Sequence, residues 1–281
     1  MEKKSKKIKE SLFFPKKKKL KQCPTHADKV CSIDKGTFEE ELLALNEKLS
    51  DLQELIFAES KHKILIILQG LDTSGKDGTV KHVFKNTNPQ GLRVVSFKQP
   101  TELELAHDYL WRIHKESPGK GEFTIFNRSH YEDFVVPYVH HRLPEKQLKQ
   151  RLDDIVSFEK MLSTEGVIIF KFFLHISPKE QAQRITERLN NPKKHWKFSM
   201  SDLEERAHWD RYLEAYDIAL RETHDDHAPW NIIPADDKRL RDFLISSILV
   251  ERLAKLKPHP QRMDPKVLKK VQREATRMLQ K

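Results

Sequence analysis

The chain has 281 residues, a third of them charged, and a formal net charge of +10. That length can bury a full core, and no apolar run approaches the roughly 18–20 residues of a membrane-spanning helix. A basic chain invites a nucleic-acid reading, yet the charge is concentrated: residues 1–22 hold ten Lys and two Glu, while the rest carries 42 Lys and Arg against 40 Asp and Glu.

The opening stretch, MEKKSKKIKESLFFPKKKKLKQ, reads as a solvated arm, with tethering to a membrane, RNA or another polyanion as its alternative. It lacks the apolar segment of a secretory signal, so a cytoplasmic location is expected. Cys23 and Cys31 have neither a C-x-x-C spacing nor partner histidines, which argues against a disulfide framework or a zinc site. Residues 1–33 are set apart as a basic, partly disordered extension. Residues 34–257 form the working domain and 258–281 a charged C-terminal helix.

After the arm, apolar residues at Phe38, Leu42, Leu45, Leu49, Leu52 and Ile56 are spaced by three and four, which predicts an amphipathic helix with Thr37 as its N-cap. KILIILQG, residues 63–70, is a short continuous apolar run ending in Gly, the mark of a strand buried on both faces. LDTSGKDGTVKHVF follows as a loop opening a helix. Four later runs, at 92–98, 122–128, 166–177 and 229–235, read as strands. The segments starting at Thr101, Pro144, Ser177 and Ser201 read as helices. Strands alternating with helices predict an α/β fold of three layers, α/β/α, on a parallel sheet of about five strands.

The stretch from Gly70 to Asp77 nearly matches G-x-x-x-x-G-K-[S/T], a loop whose backbone N–H groups and helix N-terminus hold phosphate. Gly70, Gly75 and Lys76 fall in place, but Asp77 stands where a metal-binding hydroxyl is usual, and Asp72 lies inside the loop. Carboxylates would repel bare phosphate, and they make sense with a divalent cation between them and an oligophosphate. Asp72 is therefore read as the metal anchor. Asp77 either shares that task or stabilises the first helical turn. The phosphate-binding set is Gly70, Thr73, Ser74, Gly75, Lys76, Asp77, Gly78 and Lys81.

IFNRSHYED, residues 125–133, leaves the third strand at the sheet edge where open α/β folds bind ligands. Arg128 is a candidate for bridging phosphates bidentately, or for an ion pair with the next helix. Asn127, His130, Glu132 and Asp133 join it as nucleotide-binding candidates. Arg184 and Arg188 lie four apart on one helix, and Lys193, Lys194 and Lys197 follow in a polar loop. Five cations in fourteen residues suggest a lid, about 184–212, closing over a polyanion; a solvated helix end is the bland alternative. Trp196, Trp209 and Tyr212 would frame it, and Asp236 and Asp237 return to the same sheet edge.

Together, GLDTSGKDGT, NPQG, SFKQPT, AHDYLWR, IFNRSHYED, KFFLHIS, HWKFS, ERAHW and PADDK resemble the polyphosphate kinase 2 family from about Asp34 to Leu256. The resemblance implies a P-loop kinase-like fold with a helical lid. It also implies phosphoryl transfer between inorganic polyphosphate and adenine, or also guanine, nucleotides, with Mg²⁺ or Mn²⁺ and a dimeric or tetrameric assembly. By it Asp72 is a metal ligand, Lys76 and Arg128 hold the transferring phosphates, and Arg184, Arg188 and the lid lysines track the anion. ADP-specific members tend to read F-D-R-S-W-Y-N, whereas this chain has Asn127 before Arg128 and Glu132 at the last position. That resembles the subgroup accepting both AMP and ADP, and it moves the second metal ligand from position 127 to Glu132. An ATP-dependent nucleoside monophosphate kinase and a P-loop RNA-binding protein using the basic arm are the rival readings.

Overall fold

The computed structural model describes residues 12–15, 18–26, 38–197, 200–260 and 263–279. The five apolar runs are the strands β1 (Lys63–Gln69), β2 (Leu92–Ser96), β3 (Phe123–Asn127), β4 (Val167–His175) and β5 (Trp230–Pro234). They form one sheet ordered β2-β3-β1-β4-β5, in which every pairing is parallel.

Helices follow in chain order as α1 (Phe38–Glu59), α2 (Lys76–Val83), α3 (Glu102–Leu105), α4 (Trp111–His114), α5 (Glu132–Val139) and α6 (Glu145–Thr164). The rest are α7 (Pro178–Leu189), α8 (Met200–Ala207), α9 (Trp209–Glu222), α10 (Lys238–Ala254) and α11 (Pro265–Leu279). β1 shows why its sequence is apolar throughout. Leu65 and Ile67 enter a core with α5, α6 and α9. Ile64, Ile66 and Leu68 enter a second core with α1 and α10. Side chains alternate across a strand, so a strand covered on both faces needs apolar residues at every position. None of the described helices is long and apolar enough to cross a membrane.

Two expected helices are broken. The segment from Thr101 forms α3 and α4 separately. Thr101 and Glu104 close a capping box, and the Asp108 carboxylate accepts from Leu110 N at 3.0 Å to start the second turn. The segment from Ser201 is divided at His208 into α8 and α9. The Thr37 cap lies outside the described residues.

The basic extension departs most from its sequence reading. Phe13 bridges Asn231 in antiparallel fashion. Ile232 N donates to Leu12 O at 2.7 Å and Phe14 N to Trp230 O at 3.0 Å. Leu12, Phe14, Leu20 and Cys23 are buried, and Leu20 N donates to Asp217 on α9 at 2.6 Å. This stretch covers the free edge of β5, which would otherwise present unpaired backbone groups. The solvated-arm expectation is thus corrected for residues 12–15 and 18–26: Leu12, Phe14 and Leu20 supply the anchors and the lysines flank them.

Candidate active site

The loop after β1 is shaped by two glycines and two arginines. At Gly70 a Cβ would stand 2.7 Å from Leu174 O. Gly75, with φ +103°, is the N-cap of α2, and a Cβ there would overlap the Arg241 guanidinium. From below, Arg184 Nη1 donates to Thr73 O and Ser74 O (3.0 and 3.1 Å), and its Nη2 donates to Ala235 O and Asp236 O (2.6 and 3.1 Å). Its Nε donates to Glu180 at 2.7 Å. Arg241 is fully buried, paired with Asp242 at 2.7 Å, and reaches Ser74 O at 3.4 Å. The Thr73 and Ser74 carbonyl oxygens are thereby occupied by arginine donors, which lessens the negative potential they would present to an anion.

Lys76 opens α2 and turns its Nζ back to Gly70 O (2.7 Å) and Leu71 O (3.2 Å). Burial, and next the Arg128 charge, push its pKa down to about 8, against the pull of Asp72, Glu132 and Asp77. It remains mostly charged at neutral pH.

β3 delivers the second half of the site. Arg128 follows the strand with φ +62°, a left-handed conformation uncommon for a side-chain-bearing residue and concentrated at functional sites. Its Nη2 donates to Asp72 Oδ1 at 2.6 Å. Asn127 Nδ2 donates to Asp77 Oδ1 at 2.8 Å, which draws the strand end to the loop. Glu132 opens α5. In the orientation that satisfies all its partners, the Gln69 amide donates to Glu132 Oε1 at 3.0 Å and accepts from Ser129 N at 3.2 Å. Burial raises the Glu132 carboxyl above its ordinary pKa, while Arg128 and Lys76 oppose that rise.

Two cavities meet at this point. The larger, about 790 Å³, runs along the loop over Gly75, Lys76 and Gly78 and out to Arg188 and Lys238. Seven Lys and Arg line it against three acids, which suits a long anion. The smaller, about 480 Å³, combines Arg112, Arg142 and Arg151 with the apolar Pro100, Val136, Leu143 and Trp209. That mixture suits a ligand with a flat apolar end and a charged end. Asp72, Lys98 and Arg128 belong to both walls.

Several sequence assignments move. His130 is wholly buried, its Nε2 lies 3.1 Å from Glu159 Oε1 in a core network with Tyr131 and Lys171, and it lines neither cavity. Arg184 lines the larger cavity, but its donors are occupied by backbone and Glu180, so it braces the loop rather than tracking an anion. Asn127 faces the larger cavity alone, and the Asp133 carboxylate is held by Arg112 at 3.0 Å. Lys81 and Lys193 are exposed and line neither cavity. The side chains of Lys194, Trp196 and Lys197 lie outside the described residues. Trp209 and Tyr212 do frame the smaller cavity. Asp237 caps α10 through Arg239 N and Leu240 N, and Asp236 accepts from Ser177 N at 2.7 Å. Arg241, Gln69 and Lys98 were not singled out from the sequence. SFKQPT places Lys98 two residues after the end of β2, at the ligand-binding edge, a signal that could have found it.

The family model Polyphosphate kinase 2 (PPK2) matches residues 32–261. The chain belongs to the polyphosphate kinase 2 family. It is 53% identical over 232 residues to the AMP/ADP-polyphosphate phosphotransferase of Meiothermus ruber, covering 82% of this chain and 87% of that protein. It is 39% identical over 250 residues to the ADP-polyphosphate phosphotransferase of Rhodopseudomonas palustris, covering 85% and 86%. The crystal structure of polyphosphate kinase 2 from Arthrobacter aurescens TC1 superposes with a TM-score of 0.90 at 35% identity, covering 96% of this chain and 98% of that one.

Proposed function

We propose that this polyphosphate kinase 2 family member transfers phosphate reversibly from inorganic polyphosphate to AMP and ADP, forming ADP and ATP. The observation that carries the reading is the shared wall: a cation-lined channel and a mixed polar–apolar pocket open onto one another at Asp72 and Arg128. Polyphosphate lies along the loop, and the nucleotide enters from the pocket with its phosphates foremost. Arg128 grips phosphates from both sides, Lys76 holds the phosphate at the loop, and Arg188 and Lys238 carry the chain outward. Transfer is direct and in line, with positioning and electrostatics supplying the acceleration.

A divalent cation fits the donor set. Asp72 and Glu132 offer hard carboxylate oxygens beside the loop, and both line the smaller cavity. Mg²⁺ suits that arrangement because it keeps waters and takes one or two carboxylates plus phosphate oxygens; Mn²⁺ prefers the same donors. When bound, the ion neutralises charge on the phosphates. A cytoplasmic location and a homo-oligomeric state accompany this reading.

The test is donor identity. Purified protein with AMP, polyphosphate and Mg²⁺, but no ATP, should form ADP and then ATP. Activity with ATP plus AMP, and none with polyphosphate, would make it a nucleoside monophosphate kinase instead.

A further inference from the structure

Beneath the turn that joins β3 to α5 lies a polar cluster that lines neither cavity. Lys171 in β4, Glu159 in α6, and His130 and Tyr131 in the turn are all buried. Lys171 Nζ donates to Glu159 Oε2 at 2.6 Å, to Tyr131 Oη at 3.0 Å and to Thr223 O at 2.8 Å, so each of its three protons has an acceptor. The other carboxylate oxygen, Glu159 Oε1, takes Tyr131 Oη at 2.8 Å and His130 Nε2 at 3.1 Å. An ionised carboxylate only accepts, so the imidazole carries a hydrogen on Nε2.

Such a cluster is a costly way to fill a core. Two charges taken out of water lose their hydration, and apolar side chains of similar volume often serve stability as well or better. His130 adds a second cost, because its Nδ1 is buried with no hydrogen-bond partner. Its ring packs against Tyr131 and Phe158, with centroids 4.7 and 5.8 Å away. A phenylalanine would keep those contacts without the unpaired nitrogen. What histidine adds here is the Nε2 hydrogen bond.

The location of that bond indicates what it holds. His130 and Tyr131 stand between Arg128 and Glu132, both of which line the smaller cavity. Arg128 has φ +62°, and such a residue persists where its surroundings over-determine it. On the cavity side, the Gln69 amide joins Ser129 to Glu132. On the core side, the next two residues both end on one oxygen of Glu159, which Lys171 fixes between β4 and α6.

We propose that His130 is a positioning residue: its Nε2 bond to Glu159, with that of Tyr131 beside it, locks the turn so that Arg128 and Glu132 face the smaller cavity. This role in positioning rests on the transfer from polyphosphate to nucleotide proposed above.

Replacements that differ in where they carry a donor test it. Glutamine brings its amide nitrogen close to the place of imidazole Nε2, asparagine close to that of Nδ1, and phenylalanine keeps the ring with no donor. In His130→Gln, kcat should stay within about threefold of wild type, and in His130→Asn and His130→Phe it should fall by about tenfold or more. The Kd for ADP with Mg²⁺, measured by titration calorimetry without polyphosphate, should rise in the same order. His130→Phe should melt within about 3 °C of wild type or above it, since the ring and its packing remain. Should His130→Phe fail to fold, the contrast between glutamine and asparagine still decides. An active His130→Phe beside an impaired His130→Gln would make ring packing the role of this residue and overturn the proposal. Equal kcat and Kd in all three variants would overturn it as well. A wild type that binds ADP but forms no product from polyphosphate would contradict the transfer reaction instead, and the order of Kd values would still decide whether His130 positions the turn.

Discussion

Arg128 Nη2 donates to Asp72 Oδ1 at 2.6 Å in the wall between the two cavities. The cation suited to bridging phosphates is thus paired with the acid suited to holding a metal, and each neutralises the other until an anion and its counter-ion arrive. Asp72→Asn keeps the shape of the loop and removes the charge. kcat should fall more than tenfold at saturating Mg²⁺, with the melting temperature within about 3 °C of wild type, since the side chain is partly exposed. Retention of more than a tenth of kcat would remove Asp72 from the metal site.

Arg184 and Arg188 should separate cleanly. Arg184→Met strips donors from four buried carbonyls and should cost about 3 kcal/mol in urea unfolding, with a lower kcat. Arg188→Ala should leave stability unchanged and raise KM for polyphosphate more than for nucleotide, an effect that shrinks as salt increases. Equal stability of the two variants would mean that Arg184 does not brace the loop.

Removal of residues 1–22, harmless if they were a solvated arm, takes away Leu12, Phe14 and Leu20. Each buried side chain is worth about 1.5–3 kcal/mol, so the melting temperature should drop by roughly 10 °C or more. Phe14→Ala alone should cost about 3 kcal/mol. Unchanged melting after the deletion would show that the edge of β5 needs no cover.

His175, at the end of β4, is buried with Nδ1 lacking a hydrogen-bond partner. Burial pushes its pKa down to about 4, against the opposing pull of Asp236 and the Cys23 backbone. The unfolded imidazole takes a proton near pH 6.5 and the folded one does not. Its contribution is therefore complete above pH 6.5 and is lost as pH falls toward 4, amounting to about 3 kcal/mol at most. His175→Gln should flatten the stability profile between pH 7 and 4.5, measured by urea titration. A variant as pH-sensitive as wild type would place the titration elsewhere.

The strands were legible because strands covered on both faces are mostly apolar: β1, β3, β4 and β5 are buried along nearly their whole length, whereas the edge strand β2 is half-exposed and showed only as the short run LRVVS. The loop was legible because glycine spacing and the following lysine are local. Arg184 was misread for the same reason that His130 was: sequence shows neighbours along the chain and hides those across it. Arg184 meets carbonyls at positions 73, 74, 235 and 236, none of them nearby in sequence. His130 sits two residues from Arg128, but the left-handed turn at Arg128 sends Ser129, His130 and Tyr131 into the core. LFF was hidden by the lysines around it, since net charge describes a segment and burial is decided by individual side chains.

The central claim is that both substrates converge on one wall. Adenosine carrying a 5′ chain of five phosphates would span it, with its base in the smaller cavity and its chain along the loop. Initial-rate inhibition by this compound, measured against AMP and separately against polyphosphate, tests the claim most directly. Competitive inhibition against both substrates is the expected result. Competition with one and noncompetitive behaviour toward the other would contradict it.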